Sequence, residues 1–282
     1  MTLKQAIHHA RGSLAAENIE DALLESELLL RHTLKISQTQ LYIDFGRELS
    51  PKQEKIFWNL VKRRLKGEPT AYIIGHREFF GHDFQVNPDV LIPRPESELL
   101  VENAIQIAQN RSGFTIAEIG TGCGAIAISL TLSLPKAKIY ATDISASAIK
   151  VARANCQKHG VTKKIRLLLG DMLDPLPEPV DLIAANIPYV RESELPVHFP
   201  VNSEPRLALD GGPDGLEKIR RLSHQLNDKL SSEGYLLLEI GQGQKKAITT
   251  TLSNLFPSAE IDVTPDLAGI DRVVSLHLTR LA

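Results

Sequence analysis

Three stretches of the chain gather residue types suited to holding a nucleoside-bearing ligand and a planar amine. In EIGTGCGAIAISL, Glu118, Gly120, Thr121, Gly122, Cys123 and Gly124 lie between a run that reads as a strand and one that reads as a helix. Glycines at such a turn let the backbone pass close under a ligand, where side chains would collide. Asp143 stands 143 − 120 = 23 residues beyond the first of these glycines, at the end of the next expected strand, placed to accept from ribose hydroxyls. The plainer reading, a glycine-rich turn with no ligand, fits the strand-turn-helix context less well. Gly120, Gly122 and Ala125 also satisfy G-x-G-x-x-G/A, so an oxidoreductase using NAD stands as an alternative at this point.

Asp171 and Met172 follow the third expected strand, where a carboxylate accepts from an adenine amine and a thioether lies on a ring. A turn acid and a core methionine would look the same. The segment that separates the alternatives is DLIAANIPYV, where Asn186, Ile187, Pro188 and Tyr189 leave the fourth strand. Asn186 offers an amide oxygen, the Ile187 carbonyl a second acceptor, and Tyr189 a flat face. Together they fit an NH2 group, accept both its hydrogens and aim its lone pair at an electrophilic methyl. Such nitrogens are poor nucleophiles, and two acceptors in a dry pocket raise their electron density without a strong base. Asn-x-Pro-Tyr alone is ordinary punctuation after a strand. Behind a glycine loop and Asp143 it favours S-adenosyl-L-methionine over NAD, because hydride transfer has no use for it.

The chain has 282 residues, 43% of them apolar, with 34 acidic against 32 basic side chains. At that length about three-quarters of the unfolded surface is buried on folding, so no staple is needed. Two cysteines, Cys123 and Cys156, without a CxxC or a Cys/His cluster, point to a reducing compartment, and the expectation is cytoplasmic. The N-terminus has no apolar core of a signal peptide, and the longest apolar stretch, Ile126 to Leu134, falls short of the ~20 residues of a membrane helix. A net charge of −2 with 5% aromatics suits no dedicated nucleic-acid binder. The nine histidines show no HxxxH or HExxH spacing, so no metal is expected.

Residues 1–70 read as a helical domain. Ile19, Leu23, Ser26, Leu30 and Leu34 follow a 3.6 period, and Ser50, Pro51 and Gln53 announce a further helix through a capping box. That helix carries Lys52, Lys55, Lys62, Arg63, Arg64 and Lys66 opposite its apolar face, either a solvated face or a contact for an acidic or RNA-containing partner. From Thr70 the pattern turns to β-rich runs, REFF and DFQV, and residues 71–95 read as a hairpin linker. A helix is expected over Glu96 to Asn110. Residues 96–282 then alternate strands (Thr115–Ile119, Ile139–Thr142, Ile165–Leu169, Asp181–Ala185, Tyr235–Ile240, Val273–Leu278) with helices (Ala125–Leu134, Ala146–His159, Gly215–Leu230, Gln244–Leu255). This is an α/β pattern with a parallel sheet covered on both faces; the last strand, reached by a short loop, enters antiparallel.

With these motifs in place the sequence closely resembles the bacterial HemK/PrmC family, which methylates the GGQ glutamine of peptide chain release factors. GHREFFGHDFQVNPDVLIPRPESELLV resembles the family's linker, EIGTGCGAIAISL its cofactor loop, EPRLALDGGPDGLEKIRRL its post-motif segment, and LEIGQGQ and DLAGIDRVV its last strands. The resemblance implies a class I S-adenosylmethionine-dependent methyltransferase behind a helical domain that recognises the release factor, acting as a monomer. It also places Gly120 to Gly124, Asp143, Met172 and Asn186 toward the cofactor, and Asn186 to Tyr189 toward the glutamine. Two positions depart from the family. Ile187 stands where the family usually has proline; it keeps the carbonyl, and Pro188 still holds it extended. Met172 replaces a common aromatic. The spelling N-I-P-Y also resembles adenine-amine methyltransferases of ribosomal RNA, which put the glycine loop near the N-terminus and a helical domain at the C-terminal end.

Overall fold

The computed structural model describes residues 1–196 and 203–279. They form two compact units, one built on Met1–His76 and one starting at Arg77.

The first unit holds α1 (Leu3–Ala16), α2 (Ala22–Leu34), α3 (Gln38–Ile43), α4 (Pro51–Leu65) and α5 (Thr70–Ile74). The capping box at α4 is formed: Gln53 N–H donates to Ser50 Oγ at 3.3 Å, and Ser50 N–H donates to Gln53 Oε1 at 3.0 Å. Thr2 and Gln5 do the same for α1. Leu3, Leu14, Leu29, Leu30, Leu41 and Phe57 are fully buried and make this unit's core. Along α2 the inward stripe is Ala22, Ser26, Leu29 and Leu30, and Leu23, expected on it, is 46% exposed. Two of the five basic residues of α4 are engaged within the unit. Arg63 pairs bidentately with Glu68 at 2.5 and 2.6 Å, and Arg64 reaches Glu25 at 2.5 Å.

Thr70–Ile74 is helical where residues 71–95 were expected to form a hairpin linker; Gly75, at φ +81°, ends that turn by donating to the Ala71 carbonyl at 2.8 Å. The units therefore divide after residue 76, beyond the boundary expected at 70. The hairpin follows as β1 (His76–Phe79) and β2 (His82–Gln85), with Phe80 at φ +50° and Gly81 at φ +70°, the signs of a type I′ turn.

The second unit continues with α6 (Glu98–Ala108), β3 (Thr115–Ile119), α7 (Ala125–Ser133), β4 (Lys138–Asp143), α8 (Ala146–Lys158), β5 (Ile165–Leu169), β6 (Val180–Ala185), α9 (Glu217–Gln225), β7 (Leu230–Glu239), α10 (Lys245–Leu255), β8 (Glu260–Pro265) and β9 (Asp271–His277). Its sheet runs β5-β4-β3-β6-β7-β9-β8, parallel except at β9, which is antiparallel to both neighbours. The antiparallel last strand was expected. Its edge partner β8 was not, and the helix expected over Gly215 to Leu230 is shorter, because β7 begins at Leu230 rather than Tyr235. The apolar runs of β3 and β6 are buried almost throughout, as strands covered on both faces must be. Among the described residues no helix is long and apolar enough to cross a membrane.

Register brings the motifs together. Thr142, Ile119, Ala185 and Leu238 are successive partners across four parallel strands. The next residue of each, Asp143, Gly120, Asn186 and Glu239, therefore emerges at one level, at the carboxyl ends of the strands. The chain order reverses between β4 and β6 on either side of β3, and ligand crevices of open α/β sheets lie at that switch point.

Candidate active site

A cavity of about 390 Å³ opens at that edge. Gly120, Gly122, Asp143, Asp171, Met172, Asn186, Ile187 and Pro188 line it, together with Pro88 to Leu91 and the Pro205 to Ala208 segment. Thr121, Cys123 and Gly124, also expected at the ligand, do not line it; they build the loop from behind. The Thr121 hydroxyl donates to buried Glu118 at 2.5 Å, and the Ala127 N–H adds a bond at 3.1 Å. Burial pushes the Glu118 carboxyl up to about 8 despite both donors. The Cys123 thiol is buried and pushed up to about 12, which leaves it inert as a nucleophile at neutral pH. Gly124 opens α7 at φ +86°, where a Cβ would press on Ile128 at 3.2 Å and Ala152 at 3.3 Å, so the glycine serves helix packing.

Gly120 has a different duty. At φ +75° it occupies the left-handed region, and a Cβ there would stand 3.2 Å from the Asn186 carbonyl and 3.6 Å from Ile187 Cγ2. The glycine loop and the N-I-P-Y loop thus touch through backbone. Asp143 braces the glycine loop, with Oδ2 accepting from Gly122 N–H at 2.9 Å and Oδ1 from Ser145 N–H at 2.8 Å. Each oxygen keeps a lone pair for a hydroxyl, and burial holds the carboxyl above its ordinary range. Asp171 forms an ion pair with Arg221 of α9, which also lines the cavity. Met172 takes φ +47°, uncommon outside glycine, and its carbonyl accepts from Thr142 Oγ1 at 2.9 Å.

Asn186, Ile187 and Pro188 continue into a smaller cavity of about 50 Å³, shared with Leu91, Arg94, Tyr189, Ala208 and Glu239. Asn186 Nδ2 donates to Ser97 Oγ at 2.9 Å, and Oδ1 has no hydrogen-bond partner among the described residues. Ile187, the departure from the usual proline, is 4% exposed and packs its side chain into the core of this unit. The Tyr189 hydroxyl donates to Glu239 Oε1 at 3.3 Å, and burial followed by the Glu239 charge raises its pKa. The donor set suits a nucleoside in the larger space and a planar amide in the smaller: bare backbone at Gly120, a buried carboxylate at Asp143 and an acceptor at Asn186.

Comparison with known proteins follows the same division of the chain. Residues 5–75 match the PrmC N-terminal domain, and residues 95–201 match the methyltransferase small domain. The release factor glutamine methyltransferase of Moorella thermoacetica is 42% identical over 274 residues, 96% of this chain and 97% of that protein. That of Geobacter sulfurreducens is 37% identical over 97% of this chain and 95% of its own length. The chain belongs to the release factor glutamine methyltransferase family. A methyltransferase from Pyrococcus furiosus, 18% identical with a TM-score of 0.55 over 82% of this chain and all of its own, shares the fold.

In this methyltransferase the motifs quoted above contain further site residues whose roles their types did not reveal. Ser97 and Glu239 meet Asn186 and Tyr189 from far along the chain, although an acid ending the apolar run YLLLE was a legible signal. Gln244 is buried and donates from Nε2 to the Tyr189 carbonyl at 2.9 Å. Gly211 and Gly215 close around the same residue: Cβ atoms there would lie 2.8 Å from Tyr189 Cα and 2.4 Å from its carbonyl. The DGGPDG segment, part of the post-motif stretch, thus packs directly on the N-I-P-Y loop. Asn155 of α8, fully buried, accepts from Gln85 N–H at 2.8 Å and donates to the Gln85 and Cys123 carbonyls at 2.9 and 2.8 Å, joining hairpin to glycine loop. Glu204 accepts from Ile92 N–H at 3.0 Å and from Arg94 at 2.5 Å, holding down the Pro205 to Ala208 wall.

Proposed function

We propose that this protein transfers a methyl group from S-adenosyl-L-methionine to the side-chain amide nitrogen of the GGQ glutamine in peptide chain release factors. The observation that carries the reading is Asn186 Oδ1, fixed by the Ser97 bond, at the level where Gly120 and Asp143 end their own strands. When bound, S-adenosylmethionine supplies the electrophilic methyl. Asp143 takes the ribose hydroxyls with its remaining lone pairs, Gly120 and Gly122 let the ligand lie against backbone, and Met172 and Asp171 receive the adenine. Asn186 Oδ1 and the Ile187 carbonyl accept the two N–H bonds of the substrate amide, turning its nitrogen toward the methyl. The Tyr189 ring supports the amide plane.

A single glutamine side chain offers too little surface to orient itself, so remote binding energy is needed. The helical unit supplies it, with the α4 lysines left over once Arg63 and Arg64 are engaged internally. The reading is tested by incubating the protein with methyl-labelled S-adenosylmethionine, a purified release factor and ribosomal RNA together. Label on the release factor supports it; label on RNA adenine with the release factor blank would establish the adenine-amine activity instead.

A further inference from the structure

The two polar ends of the N-I-P-Y loop are gripped from behind by Ser97, just ahead of α6, and Glu239, the last residue of β7. A carboxamide has an accepting oxygen and a donating NH2 of nearly equal shape, so a half-turn of Asn186 would present the wrong one to a substrate amide. The bond from Asn186 Nδ2 to Ser97 Oγ, 2.9 Å long, selects between them only if the Ser97 hydroxyl acts as acceptor. A serine hydroxyl takes either role, and its neighbours decide.

Here the neighbour is Glu239. Its side chain lies 2% exposed at the end of an apolar strand, with the Ser97 and Tyr189 hydroxyls as the groups that offset its burial. Burial raises the Glu239 carboxyl above its ordinary range, the Ser97 and Tyr189 hydroxyls and the Arg272 charge oppose that rise, and in its ionised form the carboxylate only accepts and draws the Ser97 proton toward itself. Oε1 accepts from Tyr189, while Oε2 is buried without a well-formed hydrogen bond among the described residues. An acceptor so placed favours any nearby donor strongly. With the carboxylate ionised, the order this arrangement favours is Ser97 giving its hydrogen to Glu239 and receiving one from Asn186.

We propose that Ser97 and Glu239 are positioning residues that lock the Asn186 carboxamide with Oδ1 facing the substrate amide, Glu239 acting through Ser97. This rests on the methyl-transfer reading for its purpose, though not for its geometry. It also gives the LEIGQGQ and PRPESE segments a shared duty, since Gln244 of the former pins the Tyr189 carbonyl.

The test uses the full-length protein and the variants Ser97→Ala, Ser97→Thr and Glu239→Gln. Kinetics with release factor as substrate are combined with hydrogen exchange of the Asn186 side-chain NH2 in asparagine-labelled protein. Ser97→Ala is expected to lower kcat about tenfold to a hundredfold, with S-adenosylmethionine affinity within twofold of wild type and faster NH2 exchange. Ser97→Thr, which restores the hydroxyl, recovers most of both. Glu239→Gln, whose amide can donate to Ser97 and reverse the row, loses turnover like Ser97→Ala. The proposal is overturned if Ser97→Ala turns over like wild type, if threonine rescues no better than alanine, or if exchange at Asn186 is unchanged. Should wild type leave the release factor unmethylated, the functional reading fails while the exchange data still decide the orientation of Asn186.

Discussion

Replacing Gly120 and Gly122 one at a time with alanine separates backbone strain from crowding at the junction of the two loops. Both glycines sit at positive φ, +75° and +54°, so each alanine costs about 1–2 kcal/mol for entering the left-handed region. Their surroundings differ. A Cβ at 122 meets nothing within 4 Å, whereas one at 120 stands 3.2 Å from the Asn186 carbonyl, which must give way by a few tenths of an ångström. That shift moves the peptide joining Asn186 to Ile187, and with it both proposed acceptors. If a misplacement of about 1 Å costs on the order of 10²-fold, a few tenths costs roughly threefold to tenfold. Urea unfolding should therefore show comparable losses for both variants. Single-turnover methyl transfer at saturating S-adenosylmethionine should fall further for Gly120→Ala than for Gly122→Ala. Equal single-turnover rates, or a larger loss in Gly122→Ala, would refute the idea that the close approach at Gly120 sets the position of Asn186.

Other consequences are open to direct measurement. Asp143→Ala removes a charged acceptor from ribose hydroxyls, and calorimetry should show S-adenosylmethionine affinity reduced by roughly 1.5–3 kcal/mol; an unchanged Kd would remove Asp143 from the binding site. Asn155→Ala strands the Gln85 and Cys123 groups it bonds and leaves a cavity, a cost of about 3 kcal/mol in urea denaturation. A loss under 1 kcal/mol would mean that water or a rearranged hairpin replaces those bonds. Glu118 carries a folded-state pKa of about 8 against an ordinary 4.5, so between those values the native state holds a proton that the unfolded chain has released. The stability it contributes is fully present below about pH 4.5 and is lost as the pH rises through about 8. Glu118→Gln, always neutral, should flatten that decline, and an identical pH profile in the variant would locate the effect elsewhere.

The parts of this molecule legible in the sequence are those whose physics is local. The switch from 3.6-residue periodicity to strand-helix alternation, the Ser50 capping box, the glycine loop and the positions of Asp143 and Asn186 all follow from residue type and spacing within one element and its ends. The strand β8 was missed because EIDVTP is an edge strand: its acidic residues face outward, it ends at a proline, and only pairing with β9 identifies it. Residues 71–74, assigned to the hairpin linker, are helical because that turn depends on Gly75 closing it and on Thr70 reaching Glu25 at 3.0 Å. In the site, the roles of Ser97 and Asn155 were invisible because their partners lie 89 and 32 to 70 residues away, and Glu239, though marked as an acid ending YLLLE, gave no sign of its partner Tyr189 50 residues before it. Thr121 and Cys123 do not line the cavity, since membership of a motif says nothing about which side of the backbone a side chain takes.

Fragment-ion mass spectrometry of a release factor treated with this protein and S-adenosylmethionine, compared with the same factor treated with Asn186→Ala, bears most directly on the central claim. The expected result is one added methyl on the GGQ glutamine side chain with wild type. The Asn186→Ala protein should bind the cofactor normally yet modify that glutamine about 10²-fold more slowly, because a preorganised acceptor is gone. A methyl on any other residue, or equal modification by the two proteins, would contradict it.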